Sequence, residues 1–144
     1  VEECQKYNIP TAYYQGITMG RDWTMADGTV IANADLTTDP SPSKSYAYCS
    51  DTIYAESIVP IIKGCDLLYH EATFANDLAA ISKERGHSTA LEAGTIARLA
   101  EVKQLVIGHF SSRYDEEGEQ SLLAEAKSVF ENTVLAKERK VFEL

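Results

Sequence analysis

The sequence predicts an α/β fold, because short apolar strands alternate with helices along most of the chain. SYAYCS at 45–50, DLLY at 66–69 and LVI at 105–107 are typical of short strands, and each is followed by a polar residue and then by a helix. Such alternation is typical of α/β proteins, and it puts the polar residues at the carboxyl ends of the strands, where α/β proteins place their sites. With 144 residues, 44% of them hydrophobic, the chain is long enough for one domain with a buried core.

Four helices are predicted between and after these strands. The first, near 57–64, has Pro60 in its first turn, where the missing N–H of proline leaves no hydrogen bond unmade. Thr89 and Glu92 have the spacing of a capping box, which predicts a helix running to about residue 100. Residues 75–85 are also predicted to be helical, with Gly86 after them, and the helical spacing of apolar residues predicts a helix over 116–130.

Both ends of the chain carry further predicted elements. Residues 1–8 are typical of a short helix that stops before Pro10. Residues 12–45 are rich in turn-forming residues and strand-like, and Asp27-Gly28 within them indicates a hairpin turn. The last five residues, KVFEL, are predicted to form a final strand.

Charge, hydropathy and cysteine pattern limit the classes of protein to which the chain can belong. Thirteen Lys and Arg against 22 Asp and Glu give a net charge of −9, which opposes the basic surface expected of a nucleic-acid binder. No apolar run is long enough for a membrane span. The chain opens at Val1 rather than Met, which favours a start inside a longer protein. Its cysteines have no CxxC spacing and predict reduced thiols in the cytoplasm: Cys4, Cys49 and Cys65.

Four polar residues stand just after a strand or just before a helix, at Asp51, Glu71, His87 and His109. Carboxylates and imidazoles are ligands suited to zinc or manganese. A metal held there could polarise a phosphodiester and activate water. A glutamate beside a histidine holds the imidazole in one tautomer, which suits a general acid. The pattern therefore indicates metal-assisted hydrolysis.

Each of these residues also has an ordinary structural interpretation. Asp51 could cap a helix, Glu71 could be a surface carboxylate, and the two histidines could be loop residues. Their spacing matches no compact zinc motif such as HExxH. Three histidines without an HxH pair cannot complete a dinuclear site within this chain.

Four longer strings carry a resemblance to a known family. YAYCSDT at 46–52, LLYHEATF at 67–74, GHSTALEAG at 86–94 and LVIGHFSSRY at 105–114 occur in the order and spacing found in ribonuclease Z. The chain resembles the C-terminal half of that enzyme, the metal-dependent endoribonuclease that removes the 3′ trailer from tRNA precursors. The family's HxHxDH motif, which supplies most metal ligands, is not in this sequence, so the resemblance predicts a chain that is inactive alone.

The resemblance implies a role for each candidate residue. Asp51 corresponds to the carboxylate that bridges two zinc ions, with manganese as the alternative metal, and His109 corresponds to a ligand of one of them. Glu71 and His87 correspond to the pair proposed to protonate the leaving 3′ oxygen. His70 is expected to support its loop. The HxSxRY segment is expected to bind tRNA phosphates through Ser111, Arg113 and Tyr114.

The resemblance also implies the architecture and the partners. The family fold is a metallo-β-lactamase-type αββα sandwich, and this chain resembles its C-terminal half, a mixed sheet with helices on one face. Residues 1–40 would form a connecting segment with the arm region, and 41–144 the half-domain. The expected substrate is precursor tRNA, and the expected protein is a cytoplasmic homodimer that does not bind membranes.

Two other functions stay open from the residues alone. One is a phosphodiesterase of the same fold that acts on small esters, against which the HEAT and HxSxRY strings weigh. The other is a non-catalytic half-domain or dimerisation module, against which the retention of all four candidate residues weighs.

Overall fold

The computed structural model describes residues 2–143. They form two compact units, and the boundary between the units in the sequence lies between Pro42 and Ser43. Each unit has an apolar core of its own. The core of the first unit is small and consists of four buried side chains, those of Cys4, Ile9, Ile17 and Leu36.

The first unit, Val1–Pro42, combines short helices with a hairpin. Helix α1 spans Glu2–Lys6 and confirms the predicted N-terminal helix. Strand β1 (Trp23–Thr24) pairs antiparallel with β2 (Val30–Ile31), and the Asp-Gly turn between them confirms the predicted hairpin. The carboxylate of Asp27 accepts a hydrogen bond from the Thr29 N–H at 2.9 Å, a local bond that favours the turn.

The prediction that residues 12–45 are strand-like was wrong in two places. Helix α2 spans Tyr14–Thr18 and α3 spans Asn33–Leu36. The Asn33 side-chain amide donates to the carbonyl of Ile17 at 2.6 Å, and Ile17 is buried. Contacts between segments therefore stabilise these helices, which are too short to form on local preference alone.

The second unit, Ser43–Leu144, contains a four-stranded sheet whose order is β3-β4-β5-β6. These strands confirm the predicted α/β class and its three apolar strands, and they span Tyr46–Cys49, Leu67–Glu71, Gln104–Gly108 and Thr133–Leu135. The described sheet is parallel throughout, which departs from the expected mixed sheet. The reason is that each connection contains a helix, and such crossovers join parallel strands.

Four α-helices of this unit confirm the predicted ones. They are α4 (Val59–Ile62), α5 (Ala79–Glu84), α6 (Ala90–Leu99) and α7 (Glu116–Val129). The capping box of α6 is present, with both of its hydrogen bonds made. Within residues 2–143, no helix combines the length and the hydrophobicity that a bilayer-spanning segment needs.

Helices α6 and α7 pack closely against each other because Gly94 has no side chain. A Cβ atom at Gly94 would lie 2.7 Å from the carbonyl oxygen of Ala126. Between the helix pair and the sheet lies the main core, whose fully buried large side chains include Leu68, Ile96, Leu105, Ile107 and Leu122. The sheet is thereby fixed at the base of the loops that carry the candidate site.

The strand predicted for KVFEL was wrong over 140–143, and Leu144 lies outside the described residues. The place beside β5 is taken by Thr133–Leu135, which follows α7 directly and pairs in register. Phe142 instead lines an apolar cavity of about 390 Å³ on the face of the sheet that α6 and α7 do not cover. Tyr69 lines the same cavity.

Candidate active site

The candidate residues meet at the carboxyl edge of the parallel sheet. Asp51 follows β3 by two residues, Glu71 is the last residue of β4, and His109 follows β5 directly. His87 reaches the same place from the loop before α6. Parallel strands end at one edge, so loops from three strands and one helix converge there.

Asp51 and His109 both have left-handed backbone conformations, with φ of 49° and 59°. This conformation costs about 1–2 kcal/mol for a residue with a Cβ atom. It brings Nε2 of His109 to 3.5 Å from Oδ1 of Asp51, and both side chains are accessible to solvent. Such strain is typical of functional sites, where the surrounding structure holds a side chain in place.

Three side chains at this edge could hold a metal ion together. Asp51, His87 and His109 each offer one ligand atom, and these atoms lie within 4.8 Å of one another. One carboxylate and two imidazoles are a donor set that fits zinc or manganese. The residues of the site therefore fit a divalent metal, although a catalytic dinuclear centre needs more ligands than these.

Glu71 is fully buried and accepts four hydrogen bonds. Its Oε1 accepts from the Thr52 N–H at 2.5 Å. Its Oε2 accepts from the Thr73 hydroxyl at 2.6 Å, from Nδ1 of His87 at 3.0 Å and from the Ser88 N–H at 3.1 Å. Two backbone N–H groups and the Thr73 hydroxyl already donate to this side chain, and a carboxylate accepts hydrogen bonds and does not donate. The His87 ring therefore carries its proton on Nδ1.

Three hydroxyl residues belong to the site although they were not predicted as site residues. They are Thr52, Thr73 and Ser88, and each stands next to a predicted residue or two positions from it. Ser88 also donates through its hydroxyl to the carbonyl of Thr52 at 2.6 Å, which ties the loop after β3 to the loop before α6. The available signal was their place inside the strings YAYCSDT, HEAT and GHST.

His70 points away from the cluster into the core, since neighbouring residues of a strand face opposite sides. It is fully buried, and its Nδ1 donates to the backbone carbonyl of Glu71 at 2.8 Å. Burial holds the pKa of this imidazole below its usual value, because the charged form loses its hydration. A neutral His70 therefore braces the end of β4.

The HxSxRY segment runs along the edge of the site. The side chain of Arg113 is exposed, donates to the Ser111 hydroxyl at 3.2 Å and lies 5.0 Å from the ring centroid of Phe74. The Tyr114 hydroxyl accepts from the Ala75 N–H at 2.8 Å. Arg113 is thus free to meet a ligand, whereas Tyr114 also fastens the loop after β4.

Comparison with known proteins gives close relatives by sequence. No protein-family model matches the chain. A protein of Porphyromonas gingivalis strain W83 named Ribonuclease Z is 56% identical over 133 residues, covering 92% of this chain and 43% of the relative. A protein of Bacteroides thetaiotaomicron with the same name is 52% identical over 132 residues, covering 92% of this chain and 41% of the relative. The chain spans less than half the length of these curated relatives.

A solved structure supports the fold. The metallo-β-lactamase fold protein YhfI from Bacillus subtilis superposes with a TM-score of 0.59 at 33% identity, covering 66% of this chain and 37% of that one. This solved structure agrees with the α/β architecture of the chain. The chain is therefore a metallo-β-lactamase-fold relative of ribonuclease Z that matches about 43% of the length of those proteins.

Proposed function

We propose that the complete protein is a metal-dependent endoribonuclease that removes the 3′ trailer from tRNA precursors and leaves a 3′-hydroxyl on the tRNA. The observation that carries this proposal is that two groups of side chains, each suited to one part of the chemistry, lie at the same edge of the sheet. One is the metal-ligand cluster around Asp51 and His109, and the other is the pair formed by the buried Glu71 and the half-buried His87. The close relatives named Ribonuclease Z supply the substrate class.

Asp51 and His109 are the proposed metal ligands of this chain. The exposed carboxylate of Asp51 has two oxygens, so it can bridge two ions while His109 binds one of them through Nε2. Zinc suits this donor set, and manganese is the alternative. A divalent metal bound there supplies polarisation of a phosphate oxygen and a water that ionises near neutral pH.

Glu71 and His87 are proposed to protonate the leaving 3′ oxygen. Nδ1 of His87 is committed to Glu71, so Nε2 is the ring nitrogen left to hold the transferred proton. The leaving group is an alkoxide, for which positioned proton donation is worth roughly 10²–10⁴ in rate. The buried carboxylate fixes the ring orientation and stabilises the imidazolium that makes the donation.

Substrate contacts are proposed for the segment that begins at Ser111. The exposed guanidinium of Arg113 can bind a phosphate with two parallel hydrogen bonds, and the Ser111 hydroxyl lies beside it. Tyr114 is proposed to line the same site while it holds the loop. Because the chain has a net charge of −9, such local cations must make its RNA contacts. A cytoplasmic homodimer is part of the same proposal.

The test compares two substrates with the protein expressed from its complete gene. We expect metal-dependent cleavage of a precursor tRNA at one position 3′ of the discriminator nucleotide, with a 3′-hydroxyl on the product. Turnover of bis-p-nitrophenyl phosphate without cleavage of the precursor would instead indicate a phosphodiesterase for small esters. Arg113→Ala should weaken cleavage of the precursor much more than turnover of the small ester.

A further inference from the structure

Thr73 connects the two halves of the site through a single hydroxyl. The side chain is almost completely buried, and its oxygen lies 2.6 Å from Oε2 of Glu71, 3.0 Å from Nδ1 of His109 and 2.9 Å from the His109 carbonyl oxygen. The backbone holds it in place, because the Thr73 N–H donates to Ser88 and its carbonyl accepts from the Ser111 N–H.

The position of one proton follows from this geometry. A hydroxyl has one hydrogen to donate and lone pairs with which to accept. The Glu71 carboxylate and the His109 carbonyl can only accept, so one of them takes the hydrogen of Thr73. The remaining contact, with the His109 ring, can then form only if Nδ1 of His109 donates to the hydroxyl oxygen. In the neutral ring, Nε2 of His109 is consequently unprotonated.

We propose that Thr73 is a positioning residue that holds His109 in the tautomer with a bare Nε2, ready to bind a metal. This proposal rests on the metal-binding role of His109 proposed above. Metal binding needs an imidazole nitrogen without a proton, and the hydrogen bond at the other nitrogen decides which one that is. The intrinsic preference of a histidine side chain is the Nε2–H form, which would direct the proton toward Asp51.

The hydrogen bonds of Thr73 also link His109 to the imidazole of His87. Nδ1 of His109 donates to Thr73, Thr73 donates to Glu71, and Nδ1 of His87 donates to the same carboxylate oxygen. Both rings therefore keep Nδ1 for the buried hydrogen bonds, which leaves Nε2 of His109 for the metal and Nε2 of His87 for the transferred proton. Without the Thr73 hydroxyl, Nδ1 of His109 would lose its acceptor while His87 would keep its own.

The test uses the protein expressed from its complete gene and labelled with 15N in histidine, freed of metal and held at a pH where His109 is neutral. Two-bond 1H–15N spectra distinguish the tautomers, and a His109→Gln variant assigns the signal. We expect Nδ1–H in the parent. Thr73→Val, which has nearly the same shape, should shift the ring toward Nε2–H, whereas Thr73→Ser should keep the parent tautomer.

Zinc affinity is the second readout. Loss of an outer hydrogen-bond partner typically costs 10–100-fold in metal affinity, and we expect that loss for Thr73→Val but not for Thr73→Ser. A parent protein with the Nε2–H tautomer would overturn the proposal whether or not the valine variant folds. A valine variant that kept Nδ1–H would also overturn it, even with weaker zinc binding. Because the tautomer is read without metal or RNA, its outcome is independent of the proposed endoribonuclease activity.

Discussion

The carboxylate of Asp51 and the imidazole of His109 face each other at 3.5 Å, and both residues have left-handed backbones. They come from loops after β3 and β5, strands separated by β4 in the sheet. The ligand cluster therefore depends on two unfavourable local conformations that the rest of the structure holds in place. Substitutions at Asp51 should therefore change stability through the backbone conformation, and metal binding through the lost carboxylate.

We predict that Asp51→Gly is more stable than Asp51→Ala by about 1 kcal/mol in metal-free protein, since alanine pays the steric cost of a left-handed backbone and glycine does not. Both variants should lose metal. Asp51→Asn should have nearly the same free energy of unfolding as the parent, because asparagine tolerates a left-handed backbone. Denaturant melts of the four proteins measure the differences. Equal stability of the alanine and glycine variants would show that the backbone at Asp51 is not strained.

Sequence patterns were sufficient for the elements that place the site. An apolar run followed by a polar residue marks β4 and β5, whose residues are mostly buried. The alternation of SYAYCS marks β3, an edge strand with Tyr46 and Tyr48 exposed. These patterns therefore place Asp51 and His109 at strand ends. The helices of the first unit were missed, since their formation depends on contacts such as that of Asn33 with Ile17.

Hydrogen-bond partners within the site were beyond the sequence patterns. Glu71 and His87 are 16 positions apart, and their pairing depends on how the loop before α6 folds over β4. Thr73 shows the limit most clearly, because its hydroxyl reaches His109, 36 positions away, through the meeting of two loops. A single threonine forms no periodic pattern in the sequence from which such a contact could be predicted.

The isolated 144-residue polypeptide should bind zinc weakly and cleave nothing. The chain offers three clustered ligand atoms, from Asp51, His87 and His109, and His87 is proposed to act as a general acid instead. Two catalytic ions need more protein ligands than these. Calorimetry should give a zinc affinity far below that of the complete protein, and Asp51→Asn with His109→Gln should remove what binding remains. Robust metal-dependent cleavage of a precursor tRNA by this polypeptide would contradict the prediction.

The same polypeptide should self-associate through the face of the sheet that α6 and α7 do not cover. Tyr46 and Tyr48 are more than half exposed there, and Tyr48 stacks on Tyr69 with ring centroids 4.6 Å apart. Contiguous apolar surface of this kind promotes association. Tyr46→Lys with Tyr48→Lys should shift sedimentation toward monomer on dilution. Ile61→Lys, at an exposed apolar residue of α4, is the matched control and should change nothing.

The last prediction concerns proton donation in the complete protein. His87→Ala should lower kcat on precursor tRNA by roughly 10²–10⁴ while zinc content stays near the parent value, because His87 is proposed to donate a proton and not to hold metal. Asp51→Ala, in contrast, should lose metal. Glu71→Gln should resemble a weaker His87→Ala, since the ring would keep its place but lose the carboxylate that stabilises its charge. The double variant should be little worse than His87→Ala, because residues that act as a unit are not additive.

The decisive comparison uses a substrate whose leaving group needs no proton. A p-nitrophenyl phosphodiester releases a stable phenolate, so removal of a general acid should matter little for it, whereas the alkoxide leaving group of RNA depends on that acid. His87→Ala should therefore be far more damaging with precursor tRNA than with the phenyl ester. The alternative is that His87 binds a metal ion, since its ligand atom belongs to the same cluster as those of Asp51 and His109. Equal damage with both substrates, together with loss of zinc, would identify His87 as a metal ligand and leave Glu71 as the residue that orients it.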